Sequence, residues 1–321
     1  MLRSMYSAIS GMNAFQTQLD VVGNNIANVD TTGFKASRVE FSDILSQTLA
    51  NAAAPAPANI AGPGGINPQQ VGLGVNVAAI STPFTQGADQ QTGVPTDVAL
   101  DGSGFFIVSP AAQSNIPATV DQPPTTTAVG NNPVYYTRAG NFTVDASGNV
   151  TLPDGSKLLG YLSGATPTPT QPSQLSAVNI SVRQALPGGG TAVVPGNFTI
   201  QPNGTITVTD PSTNQVVETW VVPLANFSNP GGLAKSGNNL YAATANSGGF
   251  TGAAVPGAYM GQAGQNGLAN FRPGALEASN VNLTQEFTNM IVAQQGFDAN
   301  SKVINTDNNI LATIQTLQQQ A

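Results

Sequence analysis

Residues 1–30 read MLRSMYSAISGMNAFQTQLDVVGNNIANVD, and their apolar side chains recur at alternating steps of three and four residues. The positions in this pattern are Met5, Ala8, Met12, Phe15, Leu19, Val22, Ile26 and Val29. Such heptad spacing predicts an amphipathic helix with one apolar stripe. Gly33 follows soon afterwards and can adopt the left-handed conformation that often ends a helix. The chain is therefore expected to begin with a helix that must bury its stripe against a partner.

The last forty residues carry a second heptad pattern. Its apolar side chains lie seven residues apart, at Leu283, Met290, Phe297, Ile304 and Leu311. Asn282 stands directly before them and is a favourable N-cap residue. This pattern predicts a C-terminal helix from about Leu283 to about Gln318.

Between the two helices, short runs of β-branched and aromatic residues predict strands. The clearest runs are 98–100, 105–108, 134–138 and 219–222. Asn203-Gly204 and Asp154-Gly155 are typical of tight hairpin turns, which join antiparallel strands. The predicted fold class is therefore α+β, mainly antiparallel β, with the N- and C-terminal helices pairing as a coiled-coil domain and β-rich domains between them.

Segments rich in Pro, Gly, Ala or Thr interrupt the strands at 51–70, 110–133, 163–174 and 247–265, and none has a pattern that could form a core. These interruptions divide the chain into four predicted parts. They are a discontinuous coiled-coil domain at 1–34 and 280–321, a linker with extended β segments at 35–96 and 245–279, a first β domain at 97–165 and 220–244, and a hairpin-rich part or small outer domain at 166–219.

Composition argues against several classes of function. The chain has 321 residues with no His and no Cys, and it carries 16 acidic and 9 basic residues for a net charge of -7. It therefore lacks the commonest general base, the thiolate nucleophile and most transition-metal ligands. We expect no enzyme, cofactor, metal or small-molecule substrate. We also expect no nucleic-acid partner, because no basic run could replace the counterions of a phosphate backbone.

Membrane insertion is not expected either. No stretch reaches the roughly 18 apolar residues that a membrane-spanning helix needs. The N-terminus lacks the apolar core and cleavage site of a secretory signal peptide. The sequence therefore predicts a protein that is not embedded in a membrane and that, if exported, keeps its N-terminus.

Pairing of the two helices would leave further apolar side chains uncovered. They are Leu2 and Ile9 on the first helix and Phe287, Ile291 and Ile314 on the second. Two outcomes fit this periodicity equally well. Either both helices pack back onto the β-rich centre of their own chain, or they stack against other copies in a polymer.

Two segments beside the helices resemble a known family. GNNIANVDTTGFK at 23–35 is similar to the NNIAN and T-x-GFK signature of the bacterial flagellar hook and basal-body rod proteins, and GALEASNVNL at 274–283 is similar to the family's E-x-SNV segment. Weaker matches at 71–75, 97–100, 104–106 and 136–142 follow in the family's order. The resemblance covers nearly the whole chain and favours the polymer.

The resemblance implies a structural subunit of a helical tube. In such a tube the terminal helices form a coiled-coil wall around the export channel, and the β domains form outer layers. The implied partners are other copies of the chain, the distal rod protein, the hook cap, the hook–filament junction proteins and the flagellar type III export apparatus. The implied location is the extracellular flagellum, reached without a cleaved signal peptide.

Within the family, the sequence favours the hook, a curved tube that acts as a universal joint between rod and filament. GLGV at 72–75, TGVPTD at 92–97 and the opening MLRSMYSAISGM are hook-like. The insertion at 51–70 is instead a feature of the straight rod protein and of some hooks, so the distal rod subunit is the alternative. A β-rich adhesin or carbohydrate-binding protein is a further alternative, although it would not need heptads at both ends.

The residues expected to carry subunit assembly lie on the two helical stripes and in the two signatures. By resemblance, those of the first signature join the inner helix to the next domain and touch adjacent subunits. The full set is Met5, Met12, Phe15, Leu19, Val22, Asn24, Asn25, Ile26, Asn28, Gly33, Phe34, Lys35, Glu277, Ser279, Asn280, Leu283, Phe287, Met290, Phe297, Ile304 and Leu311.

Overall fold

The structure is a computed structural model of the chain. It describes residues 2–54, 64–110, 116–117, 134–162, 174–185, 191–211, 213–248 and 258–319. These form two compact units, each built from separate stretches of the chain. The first unit comprises Met1–Ala27, Ala36–Pro83 and Val281–Ala321, and the second comprises Asn28–Lys35 and Phe84–Asn280. Most of the predicted loops at 110–133 and 163–174 fall outside the described residues.

The first unit contains both helices and two ribbons of paired strands. Its elements are α1 (Leu2–Ala27), β1 (Arg38–Asp43), β2 (Ser46–Ala50), β3 (Gln69–Gly72), β4 (Val75–Ser81) and α2 (Leu283–Gln319). β1 pairs with β4 and β2 pairs with β3, both antiparallel. The described ends of the predicted loop at 51–70 therefore contribute to a ribbon, with β3 and a bridge between Ala53 and Ile66.

Both helices form where the heptads predicted them. The side-chain oxygen of Asn282 accepts a hydrogen bond from the backbone N–H of Gln285 at 3.3 Å, which confirms the N-cap of α2. Over the residues described, neither helix combines the length and the apolarity needed to cross a membrane.

The two helices lie against each other and run in opposite directions. The hydroxyl of Ser4 donates a hydrogen bond to the carboxylate of Asp307 at 2.6 Å. Further along, Gly11 faces the side chain of Asn300, and Gly296 lies under the ring of Phe15. Each step toward the end of α1 is matched by an equal step toward the start of α2, so the helices keep one register along this contact.

Two helical glycines are expected to respond in opposite ways to replacement by alanine. Gly23 has no atom within 4 Å of where a Cβ would lie, so Gly23→Ala should stabilise the first unit by about 1 kcal/mol through helix propensity. A Cβ at Gly296 would lie 2.5–2.8 Å from atoms of the Phe15 ring, so Gly296→Ala should separate the helices and lower the melting temperature. Thermal unfolding followed by far-UV circular dichroism tests both, and equal shifts in one direction would contradict the packing.

Over its described residues, the second unit consists of strands and the loops between them, apart from one short 3-10 helix at Pro230–Gly232. Its strands are β5 (Asp89–Gln91), β6 (Val98–Asp101), β7 (Phe105–Ser109), β8 (Ile116–Pro117), β9 (Tyr135–Thr137), β10 (Thr143–Val144), β11 (Val150–Thr151), β12 (Lys157–Leu162), β13 (Gln174–Ala177), β14 (Ser181–Ala185), β15 (Thr191–Pro195), β16 (Asn197–Ile200), β17 (Thr205–Thr209), β18 (Val216–Val221), β19 (Pro223–Phe227), β20 (Ala234–Gly237), β21 (Leu240–Ala242), β22 (Ala258–Gln262), β23 (Asn270–Pro273) and β24 (Ala275–Glu277).

Fourteen of these strands, as far as the chain is described, belong to one sheet whose main path runs β16-β17-β18-β12-β7-β9-β21-β20. Its pairings are all antiparallel, which confirms the predicted fold class of α+β with mainly antiparallel strands. The predicted hairpin at Asn203-Gly204 joins β16 to β17, and the one at Asp154-Gly155 joins β11 to β12. Part of the loop predicted at 247–265 is instead β22, which pairs with β19.

The core of the second unit lies on both faces of β7. Phe106 and Val108 belong to one buried cluster, and Phe105 and Ile107 belong to the other, as the two-residue period of a strand requires. The first cluster also contains Trp220 of β18. Residues of the predicted hairpin-rich part, such as those of β14 and β17, contribute to this same cluster. The predicted domain bounds stay a prediction.

Candidate functional site: a buried ion cluster

The two sequence signatures meet at a buried cluster of three charged side chains in the second unit. The ammonium of Lys35 lies 2.5 Å from one carboxylate oxygen of Glu277, and the guanidinium of Arg138 lies 3.4 Å from the other. The side chains of Lys35 and Glu277 are wholly buried, and that of Arg138 is 4 % exposed. Two cations therefore share one carboxylate in a place that excludes water, where electrostatic interactions are strong.

Backbone groups add further hydrogen bonds to the cluster, although the buried Nε of Arg138 has no partner among the described residues. Lys35 also donates to the carbonyl oxygen of Thr85 at 2.7 Å, and Arg138 donates to that of Gly102 at 2.8 Å. The backbone N–H of Gly87 donates to Glu277 at 3.0 Å. Each charged group thus has both an ionic and a neutral partner, which a buried ion needs in order to offset its lost hydration.

Burial and the shared carboxylate act on the two cations in opposite directions. Burial lowers the pKa of Lys35, and the carboxylate of Glu277 raises it again in part. The pKa of Arg138 is lowered by burial and raised by Glu277 in the same way. Glu277 is thus the group that keeps both buried cations charged.

Backbone hydrogen bonds align the segments that contain Lys35 and Glu277. The N–H of Gly33 donates to the carbonyl of Glu277 at 2.8 Å, and the N–H of Asn280 donates to the carbonyl of Phe34 at 3.4 Å. Gly33 has a φ of +68°, and a Cβ there would lie 2.7 Å from the backbone nitrogen of Ala139. Only glycine fits both the left-handed backbone and this close approach.

Lys235 and Asn239 hold the first signature from another side. The ammonium of Lys235 donates to the carbonyl of Lys35 at 3.2 Å and lies 5.1 Å from the centre of the Phe34 ring. The side-chain amide of Asn239 donates to the carbonyl of Thr32 at 2.9 Å. The segment 32–35 is therefore fixed along its length by side chains as well as by backbone pairing.

The asparagines of the first signature have separate roles. In the first unit, the buried amide of Asn25 donates to the carbonyl of Ser37 at 2.8 Å and accepts from its N–H at 3.0 Å, as a paired strand residue would. In the second unit, the side-chain oxygen of Asn28 accepts from the hydroxyl of Thr31 at 3.2 Å, in the turn that follows α1. Both contacts lie within the subunit, whereas Asn24 is exposed.

The residues predicted to carry assembly differ widely in exposure. Those that are buried are Val22, Asn25, Gly33, Phe34, Lys35 and Glu277. Those that are half-buried are Met5, Met12, Phe15, Leu19, Ile26, Asn28, Ser279, Asn280, Met290, Phe297 and Ile304. Those that are exposed are Asn24, Leu283, Phe287 and Leu311. Wholly buried side chains cannot touch another molecule while the subunit is folded, so their contribution to assembly can only be through the shape they hold.

Arg138 is the member of the cluster that sequence reasoning missed. It lies in YYTRAGNF at 135–142, a segment whose resemblance to the family was noted without a role for the arginine. The sequence did contain an indication of its role. Only 8 % of the residues are charged, and Arg138 lies between an aromatic strand and a turn of small residues. A lone cation in such a run is expected to need a buried partner.

Comparison with known proteins identifies the family. The chain is 38 % identical to the flagellar basal-body rod protein FlgG of Bacillus subtilis, over 99 % of both chains. It belongs to the flagellar hook and basal-body rod family. This family is a structural component of the bacterial flagellum, as the two signatures implied.

Models of this family match three regions of the chain. The one described as flagella basal body rod protein matches 5–35, and the one described as flagellar basal body rod FlgEFG protein C-terminal matches 272–317. The model described as flagellar hook protein FlgE/F/G D1 domain matches 126–208. Lys35, Glu277 and Arg138 each lie in a different one of these regions, so the buried cluster joins all three.

Relatives in the hook and rod family include both rod and hook proteins. The FlgG rod protein of Borreliella burgdorferi is 33 % identical over the full length of both chains. The hook protein FlgE of Treponema pallidum is 43 % identical over 163 residues, which are 50 % of this chain and 30 % of that protein.

Proposed function

We propose that this chain is the structural subunit of the distal rod of the flagellar basal body. The observation that carries the proposal is the end-to-end correspondence with rod proteins, which extends over 99 % of both chains for the Bacillus subtilis relative. The hook proteins match less well: that of Borreliella burgdorferi aligns with 97 % of this chain at 29 % identity, and that of Treponema pallidum aligns with half of it. These comparisons favour the rod, which the sequence reasoning had ranked second, over the hook, which it had ranked first.

The helices provide the surface through which such a subunit would assemble. We infer that α1 and α2 pair as an antiparallel coiled coil, because the heptads of both helices and the contacts of Ser4, Gly11 and Phe15 follow one register. Large apolar side chains nevertheless stay exposed on both helices, among them Tyr6 at 65 %, Phe287 at 50 % and Ile291 at 54 %. Covering them with neighbouring subunits would gain roughly 25 cal/mol for each Å² of apolar surface removed from water.

The buried cluster supports assembly indirectly. The segment 28–35 follows α1 along the chain, and 277–280 leads into α2. The ion pair of Lys35 and Glu277, together with the backbone bonds of Gly33 and Asn280, holds these two segments side by side. We infer that the cluster keeps these two connecting segments in one arrangement in every copy of the second unit.

The proposed partners follow from this function. They are other copies of the chain, the adjoining hook proteins at one end of the rod and the type III export apparatus that delivers the subunit. The proposed location is the flagellar basal body. A hook subunit is the second candidate, favoured by the 43 % identity to the Treponema pallidum hook protein over 163 residues.

Electron microscopy of basal bodies from a strain that lacks this protein tests the proposal. We expect a shortened rod and no hook, because the hook has nothing to attach to, and reintroducing the wild-type chain should restore both. A complete rod without a hook would support the second candidate instead. Intact flagella in the deletion strain would contradict both.

A further inference from the structure

The side of α2 that faces α1 can be traced by its low exposure. The buried and half-buried residues of the helix fall at 286, 289–290, 293, 296–297, 300–301, 304 and 307. These steps of three and four are the spacing of a heptad seam. The next positions in the same seam are Leu311 and Ile314, which carry large apolar side chains like those expected in a covered seam.

The seam continues past the described part of α1. The register set by Ser4 with Asp307 and by Phe15 with Gly296 places Leu2, the first described residue of α1, opposite Asn309. Residues 310–319 of α2 therefore extend beyond the described part of α1 by roughly 15 Å at 1.5 Å per residue. We refer to this segment as the overhang. All of its residues are exposed, including Leu311 at 36 %, Ile314 at 37 % and Leu317 at 62 %.

The overhang is chemically suited to contact a second copy of the same chain. Residues 308–321 contain no charged side chain, so identical copies meet there without repulsion between like charges. The exposed side chains of the overhang are aliphatic or uncharged and polar. Up to residue 307 the seam is covered by a helix of its own chain, and beyond that residue it stays apolar. Its apolar end is therefore complementary to another amphipathic helix.

A second exposed apolar surface lies at the other end of α2, on the side away from α1. Leu283, Phe287 and Ile291 are spaced by four residues and are 39 %, 50 % and 54 % exposed. By the helical period, Phe287 and Ile291 lie about half a turn around the helix from Gly296, which faces Phe15. We refer to these three residues as the N-terminal face. It is separated from the overhang along most of the length of α2.

We propose that the overhang of one copy packs against the N-terminal face of α2 in a second copy, head to tail. This proposal rests on the proposed function, because it assumes that the chain polymerises. Two different surfaces at opposite ends of one helix make a heterologous contact, which leads to an open polymer unless the rotation closes a ring. Contact between two overhangs would instead give a closed dimer and would bring two helix C-termini, with their like partial charges, together.

Two variants separate these arrangements. The overhang variant carries Ile314→Asp and Leu317→Asp, and the face variant carries Phe287→Asp and Ile291→Asp. Each variant, when it is tested by itself, should fail to form filaments, because one of its two surfaces is disabled. An equimolar mixture should form heterodimers and nothing larger, since one intact overhang and one intact face remain. Electron microscopy shows whether filaments form. Sedimentation velocity shows whether the mass doubles in the mixture.

Thr316→Asp is the control, because it adds one aspartate to the overhang on the side opposite to Ile314. We expect it to form filaments like the wild type, with the same helix content by circular dichroism. Filaments from the overhang variant would overturn the proposal while leaving the proposed function intact. A face variant that polymerises normally would overturn it as well, and a face variant that forms dimers on its own would favour overhang-to-overhang contact. A wild-type chain that stays monomeric at all concentrations would overturn the proposed function as well.

Discussion

Glu277→Gln is expected to destabilise the second unit by about 3–5 kcal/mol, because it leaves the buried charges of Lys35 and Arg138 without an anion. The substitution keeps the size of the side chain, so little of the loss comes from packing. The amide can still accept a hydrogen bond, but it cannot offset the cost of two cations that lie out of contact with water. A change of this size is a large share of the stability of a typical domain.

Urea unfolding followed by intrinsic fluorescence of Trp220 measures this loss within the second unit. Lys35→Met provides a second comparison, since it removes one cation and leaves Arg138 paired with Glu277. It should cost less than Glu277→Gln, although it removes the shorter of the two ionic contacts. Glu40→Gln changes an acid to an amide in the exposed pair with Arg38 and should leave the unfolding curve unchanged. Equal losses for Glu277→Gln and Lys35→Met would show that the cluster is held by shape rather than by charge.

The helices and hairpins were predictable because their signals are local. The heptads of α1 and α2 and the Asn203-Gly204 turn depend on residues that lie within a few positions of one another. The bounds of α2 differ from the prediction by a single residue at its C-terminus. Ala258–Gln262 was missed because its glycine-rich surroundings indicate a loop, and only the partner strand at 223–227 makes it a strand.

The cluster was not predictable as a site, because its members are far apart in the sequence. Lys35 and Glu277 are separated by 242 positions, and Arg138 lies between them in a different element. Resemblance placed Lys35 and Glu277 in the two signatures, but it could not show that they bind each other. Residues 28–35, which follow α1 in the sequence, belong to the second unit and are bonded there through Gly33 and Lys35.

A fragment of residues 28–280 is expected to stay folded but to form no polymer. It loses both helices, and with them every surface through which assembly is proposed. It keeps Lys35, Arg138 and Glu277, together with both buried clusters of the second unit. Its unfolding transition in urea should therefore match that of the second unit in the full chain, and electron microscopy should show no filaments.

A fragment of residues 36–280 is the matched control for this truncation. It differs by only eight residues from the longer fragment, but it removes Lys35, the backbone bond from Gly33 to Glu277 and the ring of Phe34. We expect it to unfold at lower urea concentration than 28–280, because Glu277 and Arg138 are then exposed to water on the side that this segment covered. Filaments from 28–280 would contradict assembly through the helices. Equal stability of the two fragments would instead show that the first signature does not hold the second unit together.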